Sequence, residues 1–246
     1  MLPPPVNVFR DCANAAYQAS SAVQPAFVAY HEATTTRFSH ASSNFGVTVA
    51  LDRSTGVVTV RSDEGHRSYT AKAVSLIPVT FDALSEFVFH YEIGDGAKLR
   101  YTYAYPVHPL TYTSQKAADV TVYALRGYDV QYAPGTAEGA AEFHLLLEAV
   151  DDAHRNTVHL SEVFVDAVTL LPTHVILNGP NATRMTFDYR NRPGQLVLEK
   201  FSFTQRLYSA AHVARFTATI ESLFDSVQFA DRDPYAGSDM TPIPAP

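Results

Sequence analysis

The chain has 246 residues, 46% of them hydrophobic, so it is long enough to bury a substantial core in a single domain. The formal net charge of -7, with only 18 Lys and Arg spread along the chain, argues against a nucleic-acid partner, which needs clustered basic residues. The single cysteine, Cys12, excludes an internal disulfide, a Cys-rich zinc site and a Cys-X-X-Cys redox pair.

One helix is predicted at the N-terminus. Residues 6–23 are rich in alanine and follow a run of prolines that cannot continue a helix backwards. Apolar side chains recur at helical spacing and form one stripe, made of Val8, Cys12, Ala15, Ala16 and Ala19. This stripe predicts a helix that packs against a sheet, with Cys12 as a buried and unreactive thiol.

Strands follow the helix. In the first half of the chain, aromatic and β-branched residues predict strands at 26–38, 45–52, 56–63, 66–76 and 97–105. A short loop before Gly56 predicts that the second and third of these form a hairpin. Residues 81–93 fit a helix or a strand, with a strand favoured at their end, and residues 114–125 stay open between the two.

The second half has a clearer rhythm of strands and turns. Strands are predicted at 141–150, 158–166, 173–178, 184–190, 195–207, 213–222 and 226–229. The breaks between them contain Gly, Pro, Asn or Asp. Parallel strands need a crossover of a dozen or more residues, so strands with such short connections are predicted to form an antiparallel meander.

A turn between two apolar strands carries a resemblance to a known family. In VFVDAVTLLPTHVIL, residues 163–177, the turn holds Asp166, Thr169 and Pro172. Together with Phe187 and Tyr189 on the next strand, this turn makes residues 143–189 resemble the later half of the LolA-like superfamily, the outer-membrane lipoprotein carrier proteins and their relatives. The closing FTATIESLFDSVQF also resembles the last strand of that superfamily.

The resemblance implies a mainly β fold: a curved antiparallel half-barrel with an N-terminal helix packed on its concave face. It also implies an apolar interior that takes acyl chains. Residues 79–133 have no counterpart in the resemblance. We expect a single LolA-like domain over residues 1–230, followed by a disordered tail at 231–246, because the tail holds four prolines and small polar residues.

Strand alternation selects the candidate ligand-binding residues. On strand 141–150 one face carries Phe143, Leu145 and Leu147, and it must point inward because exposing three large apolar side chains is unfavourable. On the predicted strand 213–222, the same alternation places Phe216 and Ile220 on the inward face. Tyr101 and Tyr103 join them as aromatic residues with hydroxyl groups, which suit a ligand pocket. The alternative is that these tyrosines pack the core.

No catalytic or metal-binding constellation is predicted. The sequence has no Gly-X-Ser-X-Gly elbow, and none of its ten histidines lies at metal-ligand spacing. His31 and Glu32 are adjacent on a strand, so their side chains point to opposite faces and cannot act together. Asp151, Asp152 and Asn156 lack the ligand spacing of a calcium site. We expect no cofactor.

These features favour a non-catalytic protein whose partner is a hydrophobic small molecule or lipid. Two alternatives stay open, namely an enzyme that uses the same barrel as a reaction chamber and a structural or interaction domain with a filled core. No apolar run reaches the about 18 residues of a membrane span, so no stable transmembrane insertion is expected. A bacterial periplasmic or secreted location is predicted although no export signal precedes the domain, and a cytoplasmic one is the alternative.

Overall fold

A computed structural model of the chain describes residues 1–21, 27–38, 41–52, 57–62, 82–84, 88–93, 99–104, 128–150, 158–192, 195–208, 214–232, 234 and 241–243. Helix α1 spans Pro5–Ser21. The strands in chain order are β1 Phe27–Phe38, β2 Ala41–Asp52, β3 Val57–Ser62, β4 Val88–Ile93, β5 Leu99–Ala104, β6 Tyr128–Tyr132, β7 Glu142–Ala149, β8 His159–Asp166, β9 Pro172–Gly179, β10 Thr183–Arg192, β11 Gln195–Tyr208, β12 Ala214–Ala230 and β13 Thr241–Ile243.

Eleven of the described strands form one open antiparallel sheet. Their order is β13-β3-β2-β1-β12-β11-β10-β9-β8-β7-β6, and β4 pairs with β5 in a separate two-stranded sheet. From β6 to β12 each strand lies beside the next one in sequence, which confirms the predicted meander. The expected fold class, mainly β with an open antiparallel sheet and an N-terminal helix, is confirmed.

The strand assignments differ from the sequence prediction at three places, β12, β6 and β13. The strands predicted at 213–222 and 226–229 are one strand, β12, so the predicted break was wrong. Ser226 adopts a φ of 52°, and the register between β1 and β12 shifts between Ala29 and His31. Strand β12 therefore contains a β-bulge at this position and continues beyond it. Strand β6 was not predicted. The strand predicted at 66–76 and the open segment 114–125 lie outside the described residues.

Helix α1 packs on one face of the large sheet, which we name the inner face. The predicted stripe is confirmed, because Val8, Cys12, Ala16 and Ala19 are buried in the main hydrophobic cluster, as is Phe9. The helix contacts β6, β8 and β11. Near its start, the hydroxyl of Tyr132 on β6 donates a hydrogen bond to the carbonyl oxygen of Pro3 at 2.8 Å. The helix therefore begins beside β6 and lies across the strands as far as β11.

Part of the expected tail forms a strand. Thr241–Ile243, strand β13, pairs with Val58–Val60 of β3. Three paired residues contribute few ladder hydrogen bonds, each worth about 1 kcal/mol. The domain boundary at residue 230 stays a prediction.

The turn between β8 and β9 is organised by one carboxylate. Asp166 Oδ1 accepts hydrogen bonds from the backbone nitrogens of Val168 and Thr169 at 3.0 and 2.7 Å, and from the Thr169 hydroxyl at 2.8 Å. Leu170 takes a φ of 58°, and its nitrogen donates to the carbonyl oxygen of Asp166 at 2.9 Å. The predicted turn position of Asp166 therefore has a local physical cause, since the side chain satisfies backbone donors that the ladder leaves unpaired.

We expect Asp166→Ala to lower the free energy of unfolding by about 1 to 2 kcal/mol, because it leaves several turn donors without their acceptor. Urea denaturation followed by circular dichroism measures the loss. Asp166→Asn is the matched control, since its side-chain oxygen can still accept, and it should lose less. Equal losses in the two variants would show that charge, and not the acceptor geometry, holds the turn.

Candidate ligand-binding face

The inner face collects several of the residues predicted to bind a ligand. Leu145 and Leu147 of β7 are buried in the main cluster, with Leu145 0% exposed, and Phe143 packs against the same cluster. Ile220 of β12 is partly buried against it as well. Strands β7 and β12 are separated by β8 to β11. The two predicted rows therefore belong to one continuous apolar cluster, but they line distant parts of it.

The other predicted residues are placed by their backbone alone. Tyr101 and Tyr103 lie on β5, opposite Tyr91 and Phe89 of β4, in the small sheet and not in the large one. Phe216 lies on β12. The side chains of Tyr101, Tyr103 and Phe216 lie outside the described part of the chain, so their role in binding stays a prediction.

A buried carboxyl lies on the inner face where β1 meets β12. Val28, Tyr30, Glu32 and Thr34 alternate along β1 on this face and are all buried, and Glu32 is only 2% exposed. The Thr34 hydroxyl donates to Glu32 Oε1 at 3.0 Å, and its oxygen lies 2.8 Å from the hydroxyl oxygen of Ser222 on β12. Glu32 Oε2 has no hydrogen-bond partner among the described residues.

The environment of this carboxyl favours its neutral form. Burial raises the pKa of Glu32 from 4.5 to about 7, against the smaller opposing effects of the nearby Ser222 and Thr34 hydroxyls and of the His31 charge. His31 points to the other face, where its Nδ1 lies 3.2 Å from Asp225 Oδ2. The expectation that His31 and Glu32 do not converge is therefore confirmed.

The sequence analysis missed Glu32 as a site residue, although its position was readable. Glu32 has the same strand parity as Val28, Tyr30 and Thr34, so an inward-facing β1 places it inside. A carboxylate at an inward position is unusual enough to be a candidate for function.

A second buried polar group lies on the same face. The Gln205 Nε2 of β11 donates to the Thr183 hydroxyl oxygen at 3.0 Å, and that hydroxyl donates to the carbonyl oxygen of Pro180. These directions fix Gln205 Oε1 as an acceptor, and it has no partner among the described residues. Gln205 aligns with Ala218, four residues from Ser222 along β12, so it lies about 13 Å farther along the strands.

The opposite face of the sheet is polar. A lateral row of side chains crosses β7, β8, β9 and β10, with the His144 ring stacked on Phe164 at 3.9 Å and His174 paired with Asp188. His144 Nε2 also lies 2.9 Å from Glu162 Oε2. In the part of the chain that the structure describes, no three His, Cys, Asp or Glu side chains are placed to hold a metal ion.

The described residues include no helix that is long and apolar enough to cross a membrane. No protein-family profile and no curated protein sequence matches the chain.

Solved structures of several bacterial proteins are similar to the chain. A DUF1329-family protein from Desulfovibrio piger matches with 8% identity and a TM-score of 0.42, covering 92% of this chain and 94% of that one. A putative outer-membrane lipoprotein-sorting protein domain from Vibrio parahaemolyticus matches with 10% identity and a TM-score of 0.41, covering 92% of both chains. A LolA superfamily protein from Nitrosomonas europaea matches with 11% identity and a TM-score of 0.36, covering 94% of this chain and 96% of that one. One of these three structures is thus that of a LolA superfamily protein, and all three TM-scores are below 0.5.

We expect the Cys12 thiol to be unreactive in the native protein. It is buried, and burial together with the nearby Asp82 carboxylate raises its pKa well above the usual range, so it stays a thiol at pH 8. Ellman's reagent at pH 8 should label it at least roughly 100-fold more slowly in the native protein than in urea, since labelling requires opening of the helix–sheet contact. Similar rates with and without urea would contradict the burial of this face of α1.

We expect Glu32 to make folding stability fall as the pH rises. The Glu32 carboxyl ionises near pH 4.5 in the unfolded chain and near pH 7 in the folded protein. Between these values the folded state binds more protons than the unfolded one, so the free energy of unfolding falls as the pH rises from 4.5 to 7. The free energy of unfolding that is lost over this pH range amounts to about 3 kcal/mol. Between pH 4 and pH 8, the free energy of unfolding of Glu32→Gln should therefore rise by about this amount relative to that of the wild type.

The control for this measurement is Glu148→Gln, because Glu148 is exposed on β7. Its difference from the wild type should stay nearly constant over the same pH range. A constant difference for Glu32→Gln as well would show that Glu32 is ionised normally in the folded protein.

Proposed function

We propose that this protein is a non-catalytic carrier or binding protein that holds a hydrophobic ligand, such as an acyl chain or lipid, against the inner face of its sheet. The observation that carries the proposal is the extent of the apolar inner face, which runs from β7 through β12 to β1 in one hydrophobic cluster. The residues of this face are buried, so a ligand reaches them where the packing over the face opens. Pockets for hydrophobic ligands are lined mostly by hydrophobic and aromatic side chains of this kind.

The dimensions of the helix and the sheet support this proposal. Eleven strands spaced about 4.8 Å apart make a sheet about 48 Å wide if it is laid flat. Helix α1, with 17 residues, is about 25 Å long and covers about half of that width. Its inward residues beyond Val8 and Phe9 are mostly small, and small side chains contribute little area to a helix–sheet contact.

The proposed location is the bacterial periplasm or the outside of the cell. The support for this location is the resemblance of residues 143–189 to the LolA-like superfamily, since the single cysteine fits this compartment and the cytosol equally. If the proposal is correct, fractionation of the cells that produce the protein should detect it in the periplasmic fraction or the medium, and this measurement tests the location independently of ligand binding.

Leu145 and Leu146 form a matched pair for testing the function. Leu145 is 0% exposed on the inner face, whereas its neighbour Leu146 is 36% exposed on the other face. In delipidated protein, we expect N-phenyl-1-naphthylamine to bind with a rise in fluorescence. Leu145→Ala should change the probe affinity several-fold and cost less than about 2 kcal/mol of stability, because a face that rearranges to admit a ligand can also relax around the smaller side chain. Leu146→Ala should leave both unchanged.

Native mass spectrometry of protein purified without detergent gives a second measurement, since a carrier should retain a co-purified lipid. A stability loss of about 2 to 5 kcal/mol for Leu145→Ala, with no probe bound by any variant, is the result of a filled core. That result would exclude the carrier and leave a packed structural domain.

A further inference from the structure

The side chains around Glu32 form a defined group on the inner face, which we name the Glu32 cluster: Tyr30, Glu32, Thr34, Ser222 and Phe224. The register of β1 and β12 places Glu32 opposite Phe224 and Thr34 opposite Ser222. Directly opposite residues have Cβ atoms about 4.5 to 5.5 Å apart. All five residues are buried, so two neighbouring strands bring one carboxyl, two hydroxyls and two aromatic rings together.

The hydrogen bonds of the cluster leave one oxygen without a partner. The Thr34 hydroxyl gives its proton to Glu32 Oε1, so its oxygen accepts from the Ser222 hydroxyl. Glu32 Oε2 is enclosed and has no partner among the described residues. A buried carboxyl oxygen without a hydrogen bond costs free energy, and such exceptions are rare in folded proteins. When the carboxyl is ionised, as it is above about pH 7, the arrangement is complete only when another group supplies a donor at Oε2.

The aromatic side chains of the Glu32 cluster favour a donor group that carries a positive charge. The rings of Tyr30 and Phe224 meet edge to face, with centroids 5.7 Å apart. Glu32 follows Tyr30 on the same strand face and lies opposite Phe224. Aromatic rings attract a cation within about 6 Å, and a carboxylate attracts it more strongly. The hydroxyl oxygens of Thr34 and Ser222 have further lone pairs that can accept from the same group.

We propose that the Glu32 cluster is a subsite for an ammonium group, and that the hydrophobic ligand is an amphiphile with an amine in its polar head. This inference rests on the proposed function, because the apolar inner face has to hold the chain of the ligand. The ammonium donates to Glu32 Oε2 and lies against the Tyr30 and Phe224 rings, while the chain extends over the apolar residues of β11 and β10. Because Oε2 is enclosed, binding requires a local opening over β1 and β12.

Three ligands with the same chain and different heads test the inference: tetradecylamine, tetradecanol and tetradecanoic acid. Each competes with N-phenyl-1-naphthylamine at pH 8, at concentrations below its micelle threshold and after incubation to equilibrium. The wild type should bind the amine at least about 10-fold more tightly than the alcohol, as expected for a charge-assisted contact in a buried site.

Two variants separate the cluster from general attraction between a cation and an acidic protein. Glu32→Gln keeps the shape of the side chain and removes its charge, so the preference for the amine should fall to less than about 2-fold. Glu148→Gln removes one exposed charge from β7 and should keep the full preference. Circular dichroism of both variants checks that the fold is intact.

The outcomes distinguish this inference from the proposed function. Equal affinity for the three ligands, preference for the acid or the alcohol, or an amine preference that survives Glu32→Gln would overturn the amine subsite while leaving hydrophobic binding in place. If neither the probe nor any of the three ligands binds the wild type, the proposed function fails and the subsite fails with it.

Discussion

The antiparallel pairing of β1 with β12 is the contact on which the rest of the structure depends. It joins the N-terminal strands β1 to β3 to the meander β6 to β12, and it turns two separate groups of strands into one sheet. The register runs from Phe27 with Ala230 to Phe38 with Ala218, almost the full length of β1. This pairing also places Glu32 and Thr34 beside Phe224 and Ser222. The candidate subsite therefore exists only when the two ends of the domain are joined.

The inner face combines two requirements that oppose each other. Most of its side chains are apolar and stabilise the fold by burial, with Phe187, Phe201 and Phe203 among the largest fully buried residues. Glu32 and Gln205 each keep one buried oxygen without a partner among the described residues, which lowers stability. A protein that only had to fold would gain by replacing these two side chains with apolar ones. The proposed amine subsite assigns a ligand contact to one of these two oxygens, Glu32 Oε2.

Much of the fold could be predicted from the sequence, because the signals were local. The alanine stripe predicted α1, and Gly, Pro, Asn and Asp marked turns between short strands that had to pair antiparallel. Strand β6 was missed because its five residues, Tyr128–Tyr132, alternate too briefly to stand out from their surroundings. The break predicted near residue 224 was wrong because the chain absorbs it as a bulge at Ser226, which only pairing with β1 reveals.

The candidate site was less predictable, because it depends on pairing between distant segments. Alternation was sufficient to place Leu145 and Leu147 inside. It was also sufficient to turn Glu32 inward, but the importance of Glu32 comes from Ser222 and Phe224, which lie about 190 residues away in sequence. No local pattern specifies that register, so the cluster appears only in the folded sheet.

The distribution of strand lengths across the sheet has a consequence for association between copies of the protein. The long strands β1, β2, β11 and β12, of 12 to 17 residues, lie in the interior of the sheet, whereas the edge strands β6 and β13 have five and three residues. An edge strand offers its unpaired backbone groups to any extended chain that approaches, and a short edge offers few of them. At β6, Asp129 also lies opposite Glu148 of β7, so an incoming acidic strand meets repulsion there. Among the described strands, the longest ones are therefore paired on both sides, and the two outermost ones are short and offer few backbone groups to a further strand.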